Sequence, residues 1–337
     1  MATLRTEVTE IATGLGCLGA GSIDEVMAAA AAPPELLNVD AHTWDRLAQA
    51  HRDRTHEGEF LAAFNNGRSL LRATDGLRGR HPILVEWKGS HRDPADHAVP
   101  ADLRIDHVYL VSCKYLSKVL HNASPWALFE RCLAGSPNQK GGDWFAEVAP
   151  VQHQAHYEAV RRLIDGGERL PLRVGDLDSG QRRELALARE LSSPESATAY
   201  AELVSEVARE SARRWAIQLR TPTQQRTMLW RLLRLSATPY FVLGTGSGES
   251  LRIRVATPWD WNQAWDLAAF DLSAQPAGQP VVGWTAVVRS RGGPATEREV
   301  NGHVEIRWSH GRLGGSPEAK VYLDTPHREV PGYIPLQ

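Results

Sequence analysis

The chain lacks the features of secreted, membrane-spanning and disulfide-stabilised proteins. Its 337 residues include three cysteines, Cys17, Cys113 and Cys132, too few for a disulfide framework and not spaced as paired zinc ligands. No apolar run approaches the ~18 residues of a membrane span. Glu7 and Glu10 interrupt the amino-terminal apolar residues, unlike a signal peptide. We therefore expect a cytoplasmic protein with reduced thiols.

Several common site signatures are also missing. The chain has neither a Gly-x-Ser-x-Gly nucleophile elbow nor a Rossmann glycine fingerprint. The run Gly244–Gly248 lacks the Lys-Ser/Thr of a phosphate-binding loop, so it is predicted to be a hairpin turn. His153 and His156 have no third metal ligand at a recognisable spacing. We expect both histidines to be exposed on a helix.

Lysine is scarce in this chain. The net charge of −2 and the isoelectric point near 6.7 do not describe a protein whose whole surface binds nucleic acid. Of 38 lysines and arginines only five are lysines, and three of them, Lys88, Lys114 and Lys118, lie close together in sequence. Because a lysine ammonium differs chemically from a guanidinium, this grouping indicates a site that requires lysine.

Hydrophobic periodicity and chain breaks divide the sequence into four segments. The length exceeds the ~100–200 residues of one ordinary domain, and the composition is that of a globular protein. We predict an α/β or α+β fold, built from a helical lead-in and linker (1–40), a mixed domain (41–150), a helical region (151–238) and a β-rich, tryptophan-containing module (239–337).

The mixed domain contains the pattern most typical of catalysis. Two β-rich runs, Ile83–Lys88 and Ile105–Lys114, flank a connection too short for a crossover helix, which predicts an antiparallel hairpin. Ser112 and Lys114 then share one face, and Glu86 is predicted to lie opposite them. Acidic groups that hold a divalent metal, with a lysine beside them, are what phosphodiester hydrolysis requires.

These residues resemble the PD-(D/E)xK nuclease superfamily, also called restriction-endonuclease-like, over about residues 55–135. The hairpin of that family carries an acid on one strand, acid-x-Lys on the next and often a glutamate on a neighbouring helix. The resemblance implies a restriction-endonuclease-like hairpin in the N-terminal mixed domain. It also implies an endonuclease that cleaves DNA with Mg²⁺ or Mn²⁺, in restriction or phage defence.

Two alignments with the family motif are open. In the first, Glu86-Trp87-Lys88 is the acid-x-Lys, with Asp75 as first acid and Glu59 as helical glutamate. In the second, Glu86 is the first acid, Ser112-Cys113-Lys114 is a variant motif with serine in place of the acid, and Glu130 is the helical glutamate.

Asp106 adds a further acid that could face Glu86 and Lys88 across the hairpin. The catalytic candidates are therefore Glu86, Lys88, Asp106, Ser112 and Lys114, and the metal-ligand candidates are Glu86, Asp106 and Glu130. In the opposing structural interpretation, both lysines face solvent at a sheet edge and Glu86 forms a cross-strand salt bridge.

A second basic region suggests a competing function. Between Arg209 and Arg234 the chain has seven arginines and one acid, Glu210. Such a helical face could bind phosphates or could be an ordinary solvated face. Its candidate nucleic-acid-binding residues are Arg213, Arg214, Arg220, Arg226 and Arg231. The alternative hypothesis is a non-catalytic nucleic-acid-binding or assembly subunit of a defence or DNA-processing complex. The expected partners are DNA, other subunits of such a system or a second copy of this chain. No association with a membrane is expected.

Overall fold

A computed structural model describes residues 3–19, 21–89, 99, 101–115, 119–131, 142–187, 193–245, 251–292 and 296–337. Lys118, Cys132 and most of the predicted turn at 244–248 lie outside these residues. The fold is mixed α/β and consists of two compact units that alternate along the chain. Unit 1 comprises 1–117, 234–264 and 327–337, and unit 2 comprises 118–233 and 265–326. The predicted segments were contiguous, whereas each unit combines separate stretches.

Helices and strands follow one another irregularly along the chain. The described α-helices are α1 (Leu4–Leu18), α2 (Ile23–Met27), α3 (Ala41–Arg52), α4 (Glu57–Arg72), α5 (Trp144–Val148), α6 (Pro150–Arg161), α7 (Ser179–Leu187), α8 (Pro194–Gln218), α9 (Pro222–Leu232) and α10 (Pro258–Ala264). The described strands are β1 (Leu36–Leu37), β2 (Val85–Trp87), β3 (Leu103–Ile105), β4 (Tyr109–Tyr115), β5 (Val119–Ala123), β6 (Tyr240–Thr245), β7 (Leu251–Val255), β8 (Trp265–Ala274), β9 (Val281–Ser290), β10 (Glu297–Trp308), β11 (Pro317–Leu323) and β12 (Tyr333–Pro335). No helix among the described residues is long and apolar enough to cross a bilayer.

Unit 1 is built on a seven-stranded sheet in the order β1-β2-β3-β4-β6-β7-β12. Strands β2, β3 and β4 form an antiparallel meander, and β4 pairs in parallel with β6. Residues 240–255, predicted as the start of a separate β-rich module, therefore complete this first sheet instead. The reason is that β6 finds its partner in β4, far back in the chain.

Helices α1 and α4 pack together and form the core of unit 1 with one face of this sheet. They approach closely at two glycines: a Cβ added to Gly16 would lie 2.1 Å from the Phe64 carbonyl oxygen, and one added to Gly67 would lie 2.0 Å from the Thr13 carbonyl oxygen. Val8, Ile11 and Leu15 are buried between them and the sheet. The amino-terminal residues, predicted as a lead-in, are thus a central element of unit 1.

The predicted long strand from Ile105 to Lys114 is wrong, because it is broken by a turn. Asp106 and His107 adopt left-handed backbone conformations, with φ of 47° and 58°. The chain reverses there, and β3 lies between β2 and β4. The predicted single hairpin is therefore a three-stranded meander, and Glu86 pairs with Arg104 instead of lying opposite Ser112.

Unit 2 combines a five-stranded antiparallel sheet, in the order β5-β11-β10-β9-β8, with helices α5 to α9. The predicted helical region, 151–238, contains α6, α7, α8 and α9. Aromatic residues form much of its interior: Phe129 stacks on Trp144 and Phe145 stacks on Trp308. Most of the tryptophans of the predicted C-terminal module serve packing, since Trp261, Trp284 and Trp308 are buried while Trp259 is 70% exposed.

Candidate active site on the seven-stranded sheet

The two faces of the unit 1 sheet differ in chemistry. Val85, Trp87, Leu103, Val111 and Cys113 point into the core formed with α1 and α4. Side chains alternate between faces along a strand, so their neighbours point the other way. The polar residues of that opposite side, which we call the polar face, are Glu86, Lys88, Asp102, Arg104, Ser112 and Lys114.

Three residues of the polar face form a row across the meander. The Lys88 N–H donates to the Asp102 carbonyl oxygen at 2.9 Å, and the Asp102 N–H donates to the Val111 carbonyl oxygen at 2.8 Å. This register places Lys88, Asp102 and Ser112 side by side, and all three are buried. Lys114 lies on the same face two residues beyond Ser112.

The Asp102 carboxylate is fixed in position by β4. Its Oδ2 accepts a hydrogen bond from the Ser112 hydroxyl at 3.3 Å and one from the Cys113 N–H at 2.7 Å. Asp102 was not among the predicted site residues, because the region before Leu103 was assigned to a loop. The sequence contains a clue nonetheless. Asp102 precedes a short strand that turns tightly into the strand with Ser112-x-Lys114, which is where the first acid of the motif is expected.

Glu86 is neutralised by two neighbouring cations. Its Oε1 lies 3.1 Å from Lys88 Nζ, and its Oε2 accepts from Arg104 Nε at 2.7 Å. Burial works to raise the pKa of the Glu86 carboxyl, but the hydrogen bonds and charges of Lys88 and Arg104 hold that pKa below its usual value. The literal motif Glu86-x-Lys88 is therefore engaged in its own ion pair, with Lys88 fully buried. The cross-strand salt bridge expected in the structural interpretation is present, formed with Arg104.

Asp106 has partners other than Glu86 and Lys88, and its place in the metal site stays a prediction. Its Oδ1 accepts from the N–H groups of Ile83 and Leu84, at 2.8 and 3.1 Å, and its Oδ2 lies 3.3 Å from Arg80. The physical reason is the turn after β3, which takes Asp106 past the end of the ladder. Asp106 stabilises that turn.

The remaining predicted acids have other partners. Glu130 belongs to unit 2, where it forms an ion pair with Arg214 at 2.6 Å. Glu59 lies 3.3 Å from Arg5, and Asp75 accepts from the Gln337 N–H at 3.4 Å. Glu130, Glu59 and Asp75 are therefore each engaged with a residue of their own unit.

A helical glutamate does approach the sheet, but from α1. Glu10 is buried, and its Oε2 accepts from Trp87 Nε1 at 2.6 Å. Burial, with the charges of Asp102 and Glu10, raises the pKa of the Cys113 thiol well above its usual range. Cys113 is thus a neutral thiol between two acids. The sequence pattern had indicated no site role for Glu10, which only interrupts the amino-terminal apolar residues.

The donor set on the polar face suits a hard cation that takes few protein ligands. No group of three or more His, Cys, Asp or Glu side chains is arranged to hold a metal among the residues that the structure describes. Mg²⁺ commonly uses one or two carboxylates and completes its shell with water and substrate phosphates. Asp102, with the Ser112 hydroxyl beside it, offers oxygen atoms of the required kind. Glu86 could bind a metal ion only after losing its ion pair with Lys88 or Arg104.

The predicted basic face between Arg209 and Arg234 is largely neutralised. Arg213 pairs with Glu210, Arg214 with Glu130 and Glu147, and Arg226 with Asp266. These acids come mostly from distant parts of the chain, which a local count of charges misses. The face is therefore a set of ion pairs. Arg220 is exposed, and Arg231 is partly buried.

His153 and His156 are buried, so the expectation of exposed helix residues is wrong. They are 0% and 1% exposed, and neither ring nitrogen of either residue has a hydrogen-bond partner. Their rings lie beside Trp308, which arrives from a distant strand and covers this face of α6. Burial lowers the pKa of His153 and lowers that of His156 to about 4.

A scan against protein-family models, a search of curated proteins and a search of solved structures each found no match to this chain.

Proposed function

We propose that the chain is a metal-dependent DNA endonuclease whose active site is centred on Asp102, Ser112 and Lys114. The observation that carries the proposal is the hydrogen bond between Ser112 and the Asp102 carboxylate on adjacent strands. Lys114 follows on the same face. The PD-(D/E)xK superfamily, which this chain resembles, carries an acid on one strand and acid-x-Lys on the next. Here Asp102 would be the first acid, and Ser112 would stand in place of the second acid, two residues before Lys114.

Each residue has a distinct role in this proposal. Asp102 would hold a divalent cation, which would supply an activated water and charge neutralisation at the phosphodiester. Ser112 and the Cys113 N–H orient the Asp102 carboxylate, so that its oxygen atoms have a fixed direction. Lys114 places an ammonium where negative charge builds up on the reacting phosphoryl group.

Glu86, Lys88 and Arg104 support the site in a different way. Lys88 stands next to Asp102 in the row, while its ammonium contacts Glu86. The three side chains form a buried or half-buried network in which both cations pair with the Glu86 carboxylate. We assign them to positioning, and we favour the second motif alignment with Asp102 replacing Glu86 as the first acid. Restriction or phage defence is the biological setting that the resemblance suggests.

The test compares cleavage by the parent protein with that by Asp102→Asn, using plasmid, phage and single-stranded DNA with Mg²⁺ or Mn²⁺. Asparagine keeps the shape and can still accept from Ser112 and Cys113, so folding should survive while cleavage falls at least 100-fold. Asp45→Asn, an exposed acid on α3, is the matched control and should cleave normally. Lys114→Ala should lose cleavage as well.

Metal binding gives a readout that does not depend on turnover. Mn²⁺ titration of the parent, followed by electron paramagnetic resonance, should show a site that Asp102→Asn loses and Asp45→Asn keeps. Cleavage that persists in Asp102→Asn would refute the assignment. DNA binding without any cleavage by the parent would instead support the non-catalytic assembly subunit.

A further inference from the structure

A cavity of about 410 Å³ lies in unit 1, on the side of the sheet opposite the polar face. Four of its lining residues, Asn65, Arg68, Ser69 and Arg72, recur on one side of α4 at helical spacing. The fifth, Arg252 on β7, pairs with Leu243, a residue of the α1/α4 core. This cavity is therefore separate from the proposed active site.

Two of its three guanidinium groups are held in place by neutral oxygens. Arg252 Nε donates to the side-chain oxygen of Asn66 at 2.8 Å, and Asn66 is itself buried and donates to the Gly244 carbonyl oxygen at 2.8 Å. Arg68 Nη1 donates to the Gly21 carbonyl oxygen at 3.0 Å. Each guanidinium has five N–H donors, so most of them remain for a ligand.

The charge of this cavity is not balanced by the protein. Within the described part of the chain, Arg68, Arg72 and Arg252 form no ion pair with an aspartate or glutamate. Elsewhere arginines commonly have such a partner, as Arg46 has Glu7 and Arg104 has Glu86. Three like charges around one concavity repel each other, and a bound anion would remove that cost.

We propose that this cavity binds a small molecule with two or more adjacent phosphate groups, such as inorganic pyrophosphate or a nucleoside diphosphate. Guanidinium groups match phosphate oxygens in a bidentate geometry. A diphosphate has a charge of about −3 near neutral pH, which complements three arginines, whereas one phosphate has at most about −2. The cavity volume falls in the ~300–1,000 Å³ range of small-ligand sites.

The experiment is isothermal titration calorimetry of the full chain with inorganic pyrophosphate, ADP, inorganic phosphate and duplex DNA. Arg72→Gln is the first variant, because Arg72 is exposed and its loss should not disturb folding. Arg252→Gln is the second, and Arg52→Gln, an exposed helix arginine of the same unit, is the control. Pyrophosphate and ADP should bind at least tenfold more weakly to the first two variants and unchanged to the control.

Three results would overturn the proposal. The first is that the parent binds neither pyrophosphate nor ADP at millimolar concentration, and the second is that inorganic phosphate binds as tightly as pyrophosphate. The third is that Arg72→Gln and Arg252→Gln weaken duplex DNA binding but leave pyrophosphate binding intact, which would assign the cavity to a nucleic-acid backbone. None of these outcomes depends on whether the protein cleaves DNA.

Discussion

Lowering the pH from 7 to 5 should destabilise unit 2, because His156 is buried there as a neutral imidazole. The His156 ring is 1% exposed, and its neighbours Tyr200, Trp308 and His153 form no hydrogen bond with its ring nitrogens. The nearby Arg312 adds a positive charge that further lowers the His156 pKa. Protonation would therefore place an unpaired cation in an aromatic interior.

The size of the effect follows from the two pKa values. The pKa of His156 is about 4 in the folded protein, against 6.5 for the ordinary residue. The unfolded chain therefore takes up a proton as the pH falls below 6.5, while the folded chain does not until about pH 4. By linkage, the free energy of unfolding falls by about 2 kcal/mol between pH 7 and pH 5, and by about 3 kcal/mol at pH 4. His153, whose pKa is also lowered by burial, acts in the same direction.

Urea unfolding of the parent and of His156→Leu at pH 7 and pH 5 measures this effect. Leucine fills a similar volume without titrating, so the variant should lose about 2 kcal/mol less than the parent on acidification. His310→Gln, an exposed histidine of unit 2, is the control and should behave as the parent. The ring-proton titration of His156 by NMR should have its midpoint near 4. A midpoint near 6.5, or equal acid loss in parent and His156→Leu, would refute the reasoning.

Two further predictions concern packing. Gly67→Ala should destabilise unit 1 by about 3 kcal/mol, since its Cβ would overlap the α1 backbone. Gly58→Ala on the same helix meets nothing within 4 Å and should stabilise the protein slightly. Thermal unfolding distinguishes the two variants, and equal effects would contradict the close approach of α1 and α4. Trp144→Phe should cost about 1 kcal/mol more than Trp308→Phe in urea unfolding, because it removes the 2.9 Å hydrogen bond to Ser211, while Trp308 Nε1 has no partner. A larger loss for Trp308→Phe would argue against that bond.

The helices of unit 2 were predictable because local chemistry marks their starts. Ser193 and Thr221 are N-caps, and a proline follows each at the first helical position. These signals act within a few residues and do not depend on the rest of the fold. The pairing of β4 with β6 carries no such local mark, since the two strands lie on either side of Lys118–Leu233.

The candidate site was predictable only in part, for a similar reason. Glu86, Lys88, Ser112 and Lys114 share the polar face, as strand alternation indicated. Asp102 was missed because the turn at Asp106 and His107 was not predicted. Both residues tolerate left-handed conformations, but they stand between apolar residues that together look like one strand. Half-buried ion pairs such as Arg214 with Glu130 join residues that are distant in sequence, so a count of charges along the chain cannot identify them.

The insertion of Lys118–Leu233 between β4 and β6 has a consequence for biosynthesis. At ribosomal speeds, β6 emerges on the order of ten seconds after β4, so the edge of β4 stays unpaired for that time. An exposed strand edge invites association with other chains. The strand β5 waits still longer for β11, its partner in the second sheet. Nascent chains of this protein should therefore bind ribosome-associated chaperones. A chain truncated after Leu233 should expose the edges of β4 and β5, because it lacks their partners β6 and β11.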